Sequence, residues 1–149
     1  MKKIILTLFV TLMLTGNSHA AGSSSSSSSS SNYDKAVKLI KSAKKYEQKE
    51  KADKAKKNYE KAQKFLIKSN DENPNNADTL NYLGFTTRKL GDYENGEKYY
   101  LQGLAIEPNH KGINEYLGEL YVVTNRIDLA KKRLDVLKAC NCEEYDELK

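Results

Sequence analysis

The chain is predicted to be all-α, a short solenoid of about three helix-turn-helix pairs plus a C-terminal capping helix, and three observations predict it. First, residues return at a step of 34: Leu83-Gly84 recurs as Leu117-Gly118, and Pro74-Asn75 as Pro108-Asn109. Tyr59, Tyr93 and Ile127 keep that step, as do Ala62, Gly96 and Ala130, and then Leu66, Tyr100 and Leu134. Second, apolar residues between these landmarks recur on 3.6-residue stripes, which places them on one face of a helix. Third, glycine and proline fall between the stripes rather than within them, where helices stop.

The elements follow in order. Lys2-Lys3, an apolar run from Ile4 to Leu14, and then Ser18-His19-Ala20 have the layout of a secretory signal peptide, residues 1–20, with cleavage expected after Ala20. The apolar run is too short for the roughly 20 residues that a membrane-spanning helix needs. Asn17 rather than cysteine follows Leu14-Thr15-Gly16, so no lipid anchor is expected, and the location implied is periplasmic or secreted. Ser23 to Ser31 is an unbroken serine tract with no apolar surface to offset the entropy of ordering it. Residues 21–31 are therefore expected to be a disordered spacer, and residues 32–149 the folded domain.

Asn32 is placed as the N-cap of a helix carrying Ala36, Leu39, Ile40, Ala43 and Tyr46. A second stripe, Ala52, Ala55, Tyr59, Ala62, Leu66 and Ser69, ends at Asn70 to Pro74. The turn between them, near Glu50 to Asp53, has neither glycine nor proline, and without it the first unit, 32–74, becomes one long helix. In the second unit, 75–108, Asn76 or Asp78 caps a helix carrying Leu80, Leu83, Gly84 and Thr87. Leu90-Gly91-Asp92 closes it, glycine being the residue that accepts a left-handed C-cap. The next helix runs from Tyr93 to Ile106 with Gly96, Tyr99, Tyr100, Gly103 and Leu104 inward, and Pro108 ends it. The third unit, 109–140, repeats this with Ile113, Tyr116, Leu117, Gly118 and Tyr121, a turn at Thr124 to Arg126, and Ile127, Ala130, Leu134 and Leu137. Asn141 followed three residues later by Glu144 is a capping-box pattern for a terminal helix, 141–149, that covers the last pair with Tyr145 and Leu148. Gly84, Gly96, Gly118 and Ala130 stand where helix backbones approach closely, and a bulky side chain there costs roughly 1–3 kcal/mol by overpacking.

A 34-residue period with small residues at close helix contacts and proline after the second helix resembles the tetratricopeptide repeat, over about residues 43 to 142. Its repeat-packing positions here are Leu83, Gly84, Tyr93, Gly96, Tyr100, Pro108, Leu117, Gly118, Ala130 and Leu134. The first unit departs from the pattern with Lys49-Glu50 where the others have Leu-Gly, and the third has Cys142 where the others have proline. The first pair is accordingly expected to be a diverged or extended cap. The resemblance implies a non-catalytic scaffold in which the first helix of each pair lines a concave groove for a peptide or helix of a partner protein. On this chain that groove maps to Asn81, Phe85, Arg88, Lys89, Glu115 and Glu119. Asn81 would bond a ligand backbone, Phe85 would give an apolar contact, and Arg88 with Lys89 would take a carboxylate or other anion. The lysine and asparagine set that clamps a chain-terminal carboxylate in some family members is not reproduced. Three repeats are about the minimum for a stable array, so self-association is also compatible.

The net charge of +5 conceals an asymmetry. Asp34 to Lys68 holds 13 lysines and 5 acidic residues, whereas Asp71 to Lys149 holds 10 basic and 15 acidic residues. The lysines fit a solvated helix face, and equally a surface for anionic lipid, polymer or the acidic end of a second copy. Catalysis has little to stand on. His110 is the one imidazole left after cleavage and is expected on the surface of a connector; no nucleophile elbow, phosphate-binding glycine loop or HExxH helix occurs. No enzyme activity and no cofactor are expected. Cys140 and Cys142 would point about 200° apart on a continuous helix, so they can bridge only if the helix ends between them, as Asn141 allows. A structural bridge or one buried and one exposed thiol, an intermolecular bridge, redox chemistry and metal binding all stay open, though two sulfurs fall short of a tetrahedral zinc set. The ten tyrosines follow the repeat and are read as packing, and export disfavours nucleic acid as a partner.

Overall fold

A computed structural model describes residues 30–149; the expected signal peptide, its cleavage site and the serine tract up to residue 29 lie outside the described residues. Seven helices follow one another: α1 (Asn32–Glu47), α2 (Ala52–Glu72), α3 (Ala77–Lys89), α4 (Tyr93–Ile106), α5 (Lys111–Val123), α6 (Ile127–Leu137) and α7 (Glu143–Leu148). Each odd helix up to α5 forms a hairpin with the even one after it, and α1, α3, α5 and α7 lie side by side in that order. The described residues are thus all-α, two layers of helices in a stack of hairpins with α7 against α5 and α6.

The repeat is real, but its first step is 41 residues rather than 34. At the turn inside each hairpin one residue takes positive φ: Glu50 at 54°, Gly91 at 95° and Asn125 at 58°. The same closing bond recurs around each, from Lys51 N to Tyr46 O, Asp92 N to Thr87 O and Arg126 N to Tyr121 O. This is the Schellman closure, in which a left-handed residue lets the chain cap the last open carbonyls. The first turn therefore forms without glycine, and Glu50 stands at the position of Gly91. Ala43, not Glu50, is the counterpart of Gly84 and Gly118. The sequence reading is one heptad out in the first unit because seven residues are nearly two turns and return a side chain to within about 20° of the same face. The extra heptad makes α2 21 residues long, about 31 Å at 1.5 Å per residue.

The slip explains the packing. Tyr59 is 2% exposed and Tyr100 is fully buried, whereas Tyr93 is 45% and Ile127 43% exposed. Tyr93 and Ile127 are the first residues of α4 and α6, where nothing beyond the turn covers them, so Tyr93 is not a repeat-packing residue. Tyr59 lies two turns inside α2 and shares its environment with Tyr100. Among the other expected packing positions, Leu83, Gly84, Gly96, Tyr100, Leu117, Gly118 and Ala130 are buried, Leu134 is half-buried, and Pro108 is exposed in the turn after α4. A Cβ on Gly96 would lie 3.2 Å from the Gly84 carbonyl oxygen, so here two backbones do approach closely. At Gly84 it would lie 2.5 Å from the Tyr100 ring, and at Gly118 it would meet Leu148, which α7 brings over α5. One core joins α1, α2 and α3 through Ile40, Tyr59, Leu66 and Leu83; a second joins α4, α5 and α6 through Tyr100, Ile113, Leu117, Leu120 and Ala130.

Helix starts also differ in detail from the sequence reading. The N-cap of α1 is Ser31, the last serine of the tract, rather than Asn32: its Oγ accepts from Asp34 N at 3.0 Å while its N donates to Asp34 Oδ2 at 3.2 Å. The cap of α3 is Asn76, whose Oδ1 accepts from Thr79 N at 2.8 Å. Cys142, not Asn141, precedes α7, and no side chain caps it; Asn141 instead adopts φ 46° between α6 and α7. There Cys140 and Cys142 are joined by a disulfide, with Cα atoms 5.2 Å apart. α6 ends at Leu137, ahead of both cysteines rather than between them, so neither sulfur is held to helical spacing and the bridge can close.

Candidate functional site

The first helix of each hairpin, together with α7, presents one face away from the paired layer. On that face lies a depression of about 260 Å³ lined by side chains of α1, α3, α5 and α7, with Phe85 and Tyr116 at its base. Their ring centroids are 4.8 Å apart, and Tyr59 meets the other side of Phe85 edge-on at 5.7 Å. Three cations surround this pair. Lys44 Nζ stands 4.9 Å from the Phe85 centroid and 5.3 Å from that of Tyr116, and donates to the Tyr116 hydroxyl at 3.0 Å. The Arg88 guanidinium is 5.7 and 5.8 Å from the same two rings, and Lys89 Nζ 5.9 Å from Phe85. Such placements over aromatic faces are favourable by about 0.5–1 kcal/mol at exposed sites and more when desolvated.

Carboxylates answer two of the cations. Arg88 pairs with Glu119, and Lys89 Nζ lies 2.7 Å from Glu47 Oε1. Lys44 has no carboxylate partner among the described residues. Glu115, beside it on α5, is 8% exposed. Burial first, and the neighbouring Glu119 carboxylate second, push the Glu115 carboxyl up to about 8; Lys44 opposes this, and Glu144 and Glu147 of α7 add to it. An adjoining depression of about 270 Å³ is bounded by Lys44, Tyr116, Glu115 and the α7 residues Glu143, Glu144 and Glu147.

Of the six groove residues named from the sequence, Phe85, Arg88, Lys89, Glu115 and Glu119 share this depression, and Asn81 does not. Asn81 is buried against the start of α5, where a Cβ on Gly112 would sit 2.8 Å from its Nδ2, so it faces a neighbouring helix instead of a ligand. Phe85 is 3% exposed and forms the floor under the cations rather than an open apolar contact. Sequence reasoning missed Lys44, Glu47 and Gln48 because a 34-residue step back from Phe85, Arg88 and Lys89 falls on Lys51, Lys54 and Ala55, in the first turn and α2. A step of 41 brings Lys44 into line with Phe85, and Gln48 with Lys89. The carboxylates of α7 were also missed, since a terminal cap was read only for Tyr145 and Leu148.

His110 is not loose surface decoration. Its Nδ1 accepts from Ile113 N at 3.2 Å, capping α5, and its Nε2 lies 3.1 Å from Asp78 Oδ1 across the hairpin boundary. The cysteines lie outside the depression. Among the described residues no three histidine, cysteine or acidic side chains are placed to hold a metal ion, and no helix is long and apolar enough to cross a membrane.

No family model matches this chain, and no curated protein matches it. Solved structures do. The type III secretion translocator chaperone SycD of Yersinia enterocolitica, in an alternative dimer, superposes with a TM-score of 0.53 at 18% identity, over 77% of this chain and 83% of that one. The first TPR domain of human RPAP3 gives 0.51 at 21% identity over 76% and 87% of the two chains. The second TPR of Spaghetti (RPAP3), bound to the HSP90 peptide SRMEEVD, gives 0.50 at 16% identity over 71% and 92%. At this identity the likeness speaks to architecture alone, and with the recurring hairpins it is sufficient for that: the chain has the tetratricopeptide-repeat fold.

Proposed function

We propose that the chain is a non-catalytic protein-interaction scaffold of the cell envelope, which receives a peptide or helix of a partner on the concave face of α1, α3, α5 and α7. The observation that carries this reading is the depression over Phe85 and Tyr116, where charged side chains from four helices converge above an aromatic floor. A preformed wall of this kind lets a ligand order itself with little rearrangement of the receptor. The solved relatives in fold include one domain holding a peptide and one secretion chaperone, which accords with the same class of activity. The envelope location rests on the residues 1–20 expected to direct export.

A photo-crosslinking amino acid at Gln48, exposed at the rim of the depression, tests it against the same substitution at Lys61 on the outer face of α2. Cross-linking of a partner from Gln48 and not from Lys61 supports the groove; the reverse transfers the function to the outer face. That second reading has its own observation. Lys54, Lys57, Lys61, Lys64 and Lys68 lie in one stripe on the outer side of α2, all exposed, and none is ion-paired among the described residues. Such a row would hold an anionic lipid or polymer, with affinity falling steeply as salt rises.

A further inference from the structure

The groove is not evenly charged along its length. Toward α3 it presents Arg88 and Lys89, each already answered by a carboxylate. Toward α7 it presents Glu115, Glu143, Glu144 and Glu147 around one space, with Lys44 as the single cation. Glu115 is the informative member. More than nine-tenths of it is buried, it borders the space, and its carboxylate makes no hydrogen bond or ion pair among the described residues. A carboxylate set this deep without a partner is favoured in its neutral form unless a cation meets it, and its oxygens remain open to the space. Nothing in the packing of α5 requires an acid there: the equivalent positions in the other units are Ile40 and Asn81. The aromatic wall beside it already holds one ammonium, that of Lys44, against the Tyr116 ring and hydroxyl.

We propose that this acidic end of the groove is the seat of an arginine or lysine side chain of the partner peptide. The proposal rests on the groove being the binding face, and names the chemistry of what enters it. A guanidinium suits the space better than a bare metal ion, because among the described residues no three acidic side chains are grouped to hold one, while the space is lined by both carboxylates and an aromatic face that a planar cation can use. It would stack on Tyr116 and donate to Glu115 and to one α7 carboxylate. Glu115, its carboxyl pushed up to about 8 by burial and the neighbouring Glu119, would release its proton to the solvent as the cation enters. Binding would therefore strengthen as pH rises toward 8, with Lys44, Glu119, Glu144 and Glu147 the charged groups facing it and Arg88 next along on α3.

The test uses the full chain and two blocked octapeptides, Ala-Ala-Arg-Ala-Ala-Arg-Ala-Ala and its counterpart with glutamate for arginine, followed by amide shifts in NMR. The arginine peptide is expected to move amides of α5 and α7 in a saturable way. Glu115→Gln combined with Glu144→Gln should weaken that binding about tenfold, while Lys61→Glu leaves it unchanged. Calorimetry in buffers of different ionisation heat should register proton release that Glu115→Gln abolishes. If the glutamate peptide alone moves the concave-face amides, the groove reading stands and this proposal falls. If arginine-peptide shifts lie elsewhere, or survive both glutamine substitutions, the proposal falls as well. If neither peptide touches the concave face, the proposal falls, and the cross-link from Gln48 decides separately whether the groove works at all.

Discussion

The first hairpin and the two after it solve the same packing problem with different lengths of chain. In α3–α4 and α5–α6 the turn, the small residues and the buried anchor share one 34-residue spacing. In α1–α2 the same parts are present, but a further heptad in α2 separates them from α3. Each hairpin has a small residue, another 12 positions on and a large buried or half-buried one 4 beyond: Ala43, Ala55 and Tyr59; Gly84, Gly96 and Tyr100; Gly118, Ala130 and Leu134. What is repeated is thus the geometry inside a hairpin, and the link between hairpins is free to vary by whole pairs of turns. The two regions also differ in charge, since the lysine-rich stripe of α2 belongs to the first hairpin and the acidic wall to α5 and α7.

The sharpest way to break this comparison is to truncate its anchors. Tyr59→Ala and Tyr100→Ala should each destabilise the domain by about 3–5 kcal/mol, as fully buried aromatics do, whereas Tyr93→Ala should cost less than about 1 kcal/mol. Urea unfolding of the three variants measures it; equal effects at Tyr59 and Tyr93 would restore the 34-residue alignment throughout.

A smaller effect separates α5 from its counterparts. The Glu115 carboxyl is raised from 4.5 to about 8, so between those values the folded chain keeps a proton that the unfolded chain loses. Stability then falls with rising pH across that window and is flat beyond both ends. Glu115→Gln should leave stability unchanged near pH 4 and raise it by on the order of 2 kcal/mol at pH 8, read as paired thermal melts. A constant difference at both pH values would mean that Glu115 is ionised in the folded state.

The smallest expected effects are reciprocal. Glu50→Gly should stabilise by about 1 kcal/mol, because a non-glycine residue in the left-handed region is strained by roughly that amount. Gly91→Ala should cost about the same, since no neighbour lies within 4 Å of an added Cβ and only the backbone conformation is at stake. Asn125→Gly should change little, asparagine being tolerant of this conformation. Chemical denaturation resolves these differences, and a neutral Glu50→Gly would show that the first turn does not share the closure of the others.

The all-α class, the order of the helices and the ends of α4 were legible because stripes, caps and breakers all agreed there. The first unit was legible as helices but not in alignment, since a heptad shift preserves every stripe; the 12-residue separation of small residues was the signal that distinguished the two. The groove was half legible. Arg88, Lys89 and Glu119 reach it because charged residues on an inner helix have few other places to go. Asn81 went instead into a contact with α5, and Phe85 became a buried floor against Tyr59 of α2 and Tyr116 of α5; both outcomes depend on how neighbouring hairpins are set against each other, and that distance information is not written in any one helix. Lys44 and the α7 carboxylates come from elements separated by about a hundred residues, and only the stacking brings them together.

The heptad carried by α2 also sets a rule for how an array of this kind can change length. Adding seven residues advances the chain by about 10 Å yet turns it by only some 20°, so every side chain keeps its side of the helix. Adding three or four would swing the buried face by tens of degrees and expose Leu66 in exchange for a lysine. The added length of α2 behaves as a ruler marked in pairs of turns: an ancestral or engineered hairpin can be extended one mark at a time, altering how far its outer surface reaches while the concave side is left as it was.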